Sequence, residues 1–173
     1  MARVDFRVAQ AALEQLADMV RGQTGERGVS KQDCLTAYVV TVLNRCGEGP
    51  IDVVTNAASY RHTAAPIVDS EVAGNPIYII RTELERGTGR LGSVALAIRR
   101  SIEKWREPSF ITAYMSVASH LMLDAANADR SMFFAAEAGA LSVNSTLSLD
   151  WPSVDFGYPG KARFHTCGVN DKY

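Results

Sequence analysis

The 173-residue chain has three cysteines, three histidines and almost no net charge (−1), and each shortage removes a class of protein. Cys34, Cys46 and Cys167 form no Cys-X-X-Cys pair, and an odd number so spaced makes neither a disulfide framework nor a zinc site. They read as reduced, packed thiols. The histidines His62, His120 and His165 make no metal-ligand spacing with neighbouring acids or cysteines, so no metal is expected. A near-neutral chain of pI about 6.3 has no global field for nucleic acid or an anionic membrane, and neither is an expected partner. No window approaches about 18 uncharged apolar residues, and the start "MARVDFRVAQ" lacks a signal-peptide layout. The expected location is cytoplasmic. There is no internal repeat, low-complexity tract or linker, so residues 1–173 read as one domain.

What is present suffices for a core: 47% of the residues are hydrophobic, and a chain of this size buries roughly 70% of its unfolded surface. "VDFRV" (Val4–Val8) alternates as a short strand does. Leu13, Leu16, Ala17 and Val20 then recur at helical spacing towards a stop at Gly22, and the glycine-rich "GQTGERGV" reads as a loop. Ser30 opens a second helix with its hydroxyl placed to accept from the Asp33 amide. Leu35, Tyr38, Val39, Val42, Leu43 and Cys46 would be its apolar stripe, making it almost wholly buried. Ile51–Tyr60 and Asn75–Leu84 read as strands, with Gly74 allowing an unusual backbone angle before the second. From Leu91 to about Asp124 the pattern is helical, broken or kinked at Pro108. Strand and irregular segments follow, and "KARFHT" reads as a last strand. The fold class is α/β, a mixed β-sheet flanked by helices.

The motifs recur in a telling order. "SKQD" (Ser30–Asp33) starts a helix, "SYR" (Ser59–Arg61) ends a strand, "GNP" (Gly74–Pro76) precedes the next, a long helical stretch follows, and "DFGY" (Asp155–Tyr158) lies near the end. This series resembles the second half of the BAHD acyltransferases, including their fungal relatives, whose fold is that of chloramphenicol acetyltransferase. The resemblance implies a mixed sheet with flanking helices and an acyl-CoA co-substrate, with no tightly bound cofactor. It places Ser30, Arg61 and Asn75 near the channel for acyl-CoA and acceptor, and makes Asp33, Asp155, Gly157 and Gly160 structural. Two departures stand out. The family's Asp-Phe-Gly-Trp-Gly turn here has Tyr158 for Trp and Pro159 before Gly160, while Gly157 and Gly160 can still supply positive φ angles. The family's catalytic His-X-X-X-Asp-Gly lies upstream of the Ser-X-X-Asp helix, and this sequence begins after that point.

"HLMLD" (His120–Asp124) meets the first five positions of that motif, and a histidine with a carboxylate four residues on can act as an oriented base. Ala125 stands where the family has glycine, however, and the segment follows the GNP element. On a helix, such i,i+4 neighbours meet by geometry alone, and a helix residue with a nearby acid is the plainer reading. His62 reads as a polar loop residue, and His165 has no acidic neighbour. "RGTGRLGS" (Arg86–Ser93) lacks the lysine and context of a phosphate loop and reads as a loop and helix start. Arg99, Arg100, Lys104 and Arg106 read as a solvated face; Trp105, Phe133 and Phe134 read as core or interface aromatics.

The resemblance implies an O- or N-acyltransferase half that transfers an acyl group from CoA to a small-molecule alcohol or amine, with the catalytic histidine supplied by an N-terminal half. The alternative is a truncated, non-acylating homologue reused as a small-molecule binding protein or a biosynthetic isomerase or cyclase. A lone half would expose the face that meets its partner, so either an N-terminal BAHD half or a homo-oligomer is expected.

Overall fold

The structure, a computed structural model, describes residues 6–47, 49–61, 63, 73–74, 76–85, 89–130, 138–146 and 157–158. In chain order the elements are α1 (Gln10–Thr24), α2 (Lys31–Cys46), β1 (Val53–Ser59), β2 (Ile77–Glu83), α3 (Leu91–Trp105), α4 (Pro108–Asn127) and β3 (Ala140–Val143). The sheet is mixed, in the order β2-β1-β3: β2 runs antiparallel to β1, and β3 runs parallel to it. The expected class, a mixed sheet flanked by helices, is what forms.

Side-chain alternation on the sheet decides where the helices sit. Val54 and Asn56 of β1 share one face with Thr82, Ile80 and Tyr78 of β2 and with Leu141 and Val143 of β3. That face meets α3, whose Val94, Ala95 and Ile98 are buried, and α3 in turn carries α1 and α2. Leu13, Ala17 and Val20 are buried on α1, as their spacing predicts. Each fully buried Val or Ile contributes roughly 1.5–3 kcal/mol, which outweighs the weak propensity of β-branched residues for helix.

Several sequence-based boundaries move. Residues 6–9 form no strand, and Phe6 and Val8 are exposed; Val4 and Asp5 lie outside the described residues. Among the described residues no strand pairs with residues 6–9, and alternation without a partner strand buries nothing. α1 passes through Gly22 and stops at Gly25, whose φ of 72° is the left-handed cap that donates its amide to Arg21 O. Gly74 is not among the glycines with positive φ. Pro108 separates α3 from α4 as the first residue of α4, where its missing N–H costs nothing.

The largest correction concerns α2. Its buried residues are Asp33, Thr36, Ala37 and Val40, at i, i+3, i+4 and i+7, with Cys34 beside them, a stripe of mostly small or polar side chains. Of the predicted stripe, Tyr38, Val42, Leu43 and Cys46 are exposed. Small residues let α2 approach α3 closely, and the bulky ones are left on the outer face. The expectation of packed thiols therefore holds for Cys34 and fails for Cys46, while Cys167 lies outside the described residues.

Candidate functional site

Strand directions set two distinct ends of the molecule. β1 ends, β2 begins and β3 ends at the same end of the sheet. The N-terminus of α2 is tied to that end, because Ser145 beyond β3 donates its hydroxyl to Gln32 Oε1 at 2.8 Å. Three motif elements separated in sequence thus share one end: Ser30–Asp33, Ser59–Arg61 and Gly74. Asn75 lies outside the described residues.

Ser30 and Asp33 form a reciprocal capping box. The Asp33 amide donates to Ser30 Oγ at 3.2 Å, and the Ser30 amide donates to Asp33 Oδ2 at 2.8 Å. The same carboxylate oxygen accepts from Arg99 Nε at 2.8 Å and also from Arg99 Nη2. Asp33 is 1% exposed and Arg99 22%, so a charged pair is sealed between α2 and α3. Asp33 Oδ1 is buried without a protein partner. The arrangement holds two helices in register; it does not present a base to a substrate. Arg99 thus leaves the solvated basic face assigned to it, whereas Arg100, Lys104 and Arg106 are exposed. The signal was available: Arg99 is four residues after buried Ala95 and three before half-buried Ile102, on the inward stripe of α3.

Beside the box, burial pushes the Cys34 thiol above its ordinary value, with the Asp33 charge adding to the effect. It is a core thiol and not a thiolate nucleophile. On the sheet, Asn56 Nδ2 and Thr82 Oγ1 are also buried without a protein partner, two residues apart in register.

Arg61 binds the exit of β1 to the approach of β2. Its amide donates to Ser59 Oγ at 3.1 Å and its Nη2 to Gly74 O at 3.3 Å, while the Tyr60 amide donates to Pro76 O at 3.0 Å. Next to this junction lies an aromatic cluster, with Tyr78 centroids 6.3 Å from Tyr60 and 5.9 Å from Tyr114, and Trp105 4.8 Å from Phe110. The Tyr78 hydroxyl donates to Trp105 O at 3.1 Å, and burial raises its pKa. Trp105 is therefore the packed aromatic its sequence context predicts; Phe133 and Phe134 lie outside the described residues.

The His120–Asp124 pair is on α4, with Nε2 to Oδ2 at 3.6 Å and side chains 77% and 52% exposed. Both side chains face solvent. His62, His165, Asp155 and Gly160 lie outside the described residues. Gly157 has φ 87°, the positive angle expected of that turn, and Tyr158 beside it is exposed. α3 begins at Leu91, so "RGTGRLGS" runs into a helix start; residues 86–88 are not described.

Two shallow concavities, of about 260 and 240 Å³, sit at the opposite end of the sheet, on either side of Leu84. The larger is lined by Val40, Asn44, Ile51 and Asp52 among others. Among the described residues no group of three His, Cys, Asp or Glu could hold a metal ion, and no helix is long and apolar enough to cross a membrane. The sequence matches no known family when compared with family descriptions, and no curated protein is similar enough to count as a relative.

Proposed function

We propose that the chain is the C-terminal half of a BAHD-type acyltransferase, forming one wall of a channel in which an acyl-CoA thioester meets a small-molecule alcohol or amine. The observation that carries this reading is the gathering of Ser30–Asp33, Ser59–Arg61 and Gly74 at one end of a mixed sheet. In the resembled family these are the channel-side motifs. Arg99 supports it: a buried ion pair under the Ser-X-X-Asp cap makes that end rigid, and a rigid wall is what positioning of two substrates requires.

In this reading the chain binds and orients. The hydroxyl or amine attacks the thioester carbonyl, the tetrahedral oxyanion collapses and CoA thiolate leaves, while the base that takes the acceptor's proton comes from the other half. In this reading His120 is not that base, since its side chain is 77% exposed and no wall formed by the described residues encloses it. The test is acyl transfer read by mass, with acetyl-CoA and longer acyl-CoAs against alcohols and amines, using the chain alone and mixed with a separately produced N-terminal half that bears His-X-X-X-Asp-Gly. Turnover only in the mixture supports the proposal. Turnover by the chain alone, whether it persists in His120→Ala or is lost there, or none in a mixture that forms a stable complex, overturns it.

A further inference from the structure

Among the described residues, three polar side-chain atoms are buried without a hydrogen-bond partner: Asp33 Oδ1, Asn56 Nδ2 and Thr82 Oγ1. Their residues are only 1%, 8% and 1% exposed. An orphaned buried donor or acceptor costs roughly tenfold or more in the folding equilibrium, so three of them call for a common explanation. Their placement supplies it. Val54 and Asn56 point from the central strand β1 to the face that the helices cover, and Thr82 is the register partner of Val54, diagonal to Asn56 on that same face. On the other side of β1, the register partner of Asn56 is Val143 of β3. Two residues beyond Val143, Ser145 donates to Gln32, the neighbour of Asp33 in the first turn of α2. Asp33 therefore enters the core at the level of Asn56, and Cys34 next to it shares one buried cluster with Val54 of β1 and Val94 of α3.

We propose that an internal water molecule binds here, between α2, α3 and the sheet. It accepts from Asn56 Nδ2 and from the Thr82 hydroxyl, and it donates to Asp33 Oδ1. The inventory matches: the amide and the hydroxyl bring hydrogens, the carboxylate oxygen accepts, and about three hydrogen bonds are what a buried water commonly makes. Diagonal cross-strand residues lie about 7–8 Å apart at the backbone, and side chains leaning towards each other leave a gap that two hydrogen bonds of about 2.8 Å through one water can close. Arg99 and the Ser30 amide hold the other oxygen of the same carboxylate, Oδ2, which fixes the direction in which Oδ1 points. The water thus extends the sealed Asp33–Arg99 pair into the sheet and ties the capped end of α2 to β1 and β2.

The inference rests on these buried groups alone and holds whether or not the chain takes part in acyl transfer. A high-resolution crystal structure of the full chain should show an ordered water within about 3.2 Å of at least two of the three groups, the Asn56 amide among them. Thr82→Val gives an independent reading, because valine keeps the shape and removes the hydroxyl. Its unfolding equilibrium constant, from urea titration, should be about fivefold above that of wild type, the size of one net hydrogen bond. A hydroxyl with no partner would give the opposite sign, since its removal relieves a desolvation cost. No water at that place, a water on one of the three groups alone, or an unfolding constant unchanged or lowered in Thr82→Val would each overturn the proposal.

Discussion

Replacing Arg99 by methionine keeps most of the aliphatic stem and removes the cation that faces Asp33. The carboxylate, 1% exposed, then keeps one hydrogen bond, from the Ser30 amide, and loses both guanidinium contacts. Leaving one member of a buried pair without its partner costs roughly 3–5 kcal/mol. The cap amide remains and the Arg99 side is 22% exposed, so the lower end, about 3 kcal/mol, is expected. At roughly 2–4 °C per kcal/mol for a chain of this size, the melting temperature should fall by about 6–12 °C. The assay is urea unfolding followed by circular dichroism, with a double-mutant cycle against Asp33→Asn. An amide at position 33 still accepts from the Ser30 amide but carries no charge to strand, so the double variant should be more stable than Arg99→Met alone. Arg99→Lys should recover only part of the loss, since a single ammonium cannot place two donors on the carboxylate as the guanidinium does. An Arg99→Met protein within about 0.5 kcal/mol of wild type, or strict additivity in the cycle, would refute the sealed ion pair.

Three further outcomes follow from the same geometry. Ser30→Ala should cost about 1 kcal/mol in urea unfolding, because the Asp33 amide loses its side-chain acceptor. Gly139 has φ 78°, and a Cβ there would lie 2.8 Å from Asp52 Oδ1 and 3.1 Å from Pro50 O; Gly139→Ala should destabilise by at least about 1–2 kcal/mol and weaken β3 pairing, read by amide exchange at Asp52 and Val53. Burial raises Cys34 above its ordinary value of 9.0 and Tyr78 above 10.0, so the folded state holds protons that the unfolded chain gives up first. Their contribution is fully present below those ordinary values and is lost as pH rises through the higher folded ones. Unfolding free energy should therefore decline from about pH 9 upward, and more gently in Tyr78→Phe, which has no phenol to ionise. A flat alkaline profile would contradict the burial of both groups.

Legibility in the sequence was uneven. The capping box was readable because Ser30 and Asp33 act over three residues, and Pro108 because its ring dictates where a helix can start. The expected pairing of a histidine with an acid at i+4 also forms, but its place on an open face could not be read from spacing. The inward face of α2 was misread, since hydrophobicity pointed to Tyr38, Val42 and Leu43. Close approach to α3 selected Cys34, Thr36 and Ala37 instead, for size.

By itself, then, the sequence determined most local events: the helical segments, the strands β1 and β2, the α2 cap and the α/β class, but not the fate of Val4–Val8, whose described residues form no strand. Only the tertiary structure decided that β3 lies parallel to β1, that Ser30, Arg61 and Gly74 share one end of the sheet, and that Arg99 seals Asp33. Those contacts join residues 66 positions apart in the case of Asp33 and Arg99, and 113 apart for Gln32 and Ser145. No short-range pattern encodes such partners. They are chosen by which faces the packed helices and sheet leave in contact once the apolar stripes are buried.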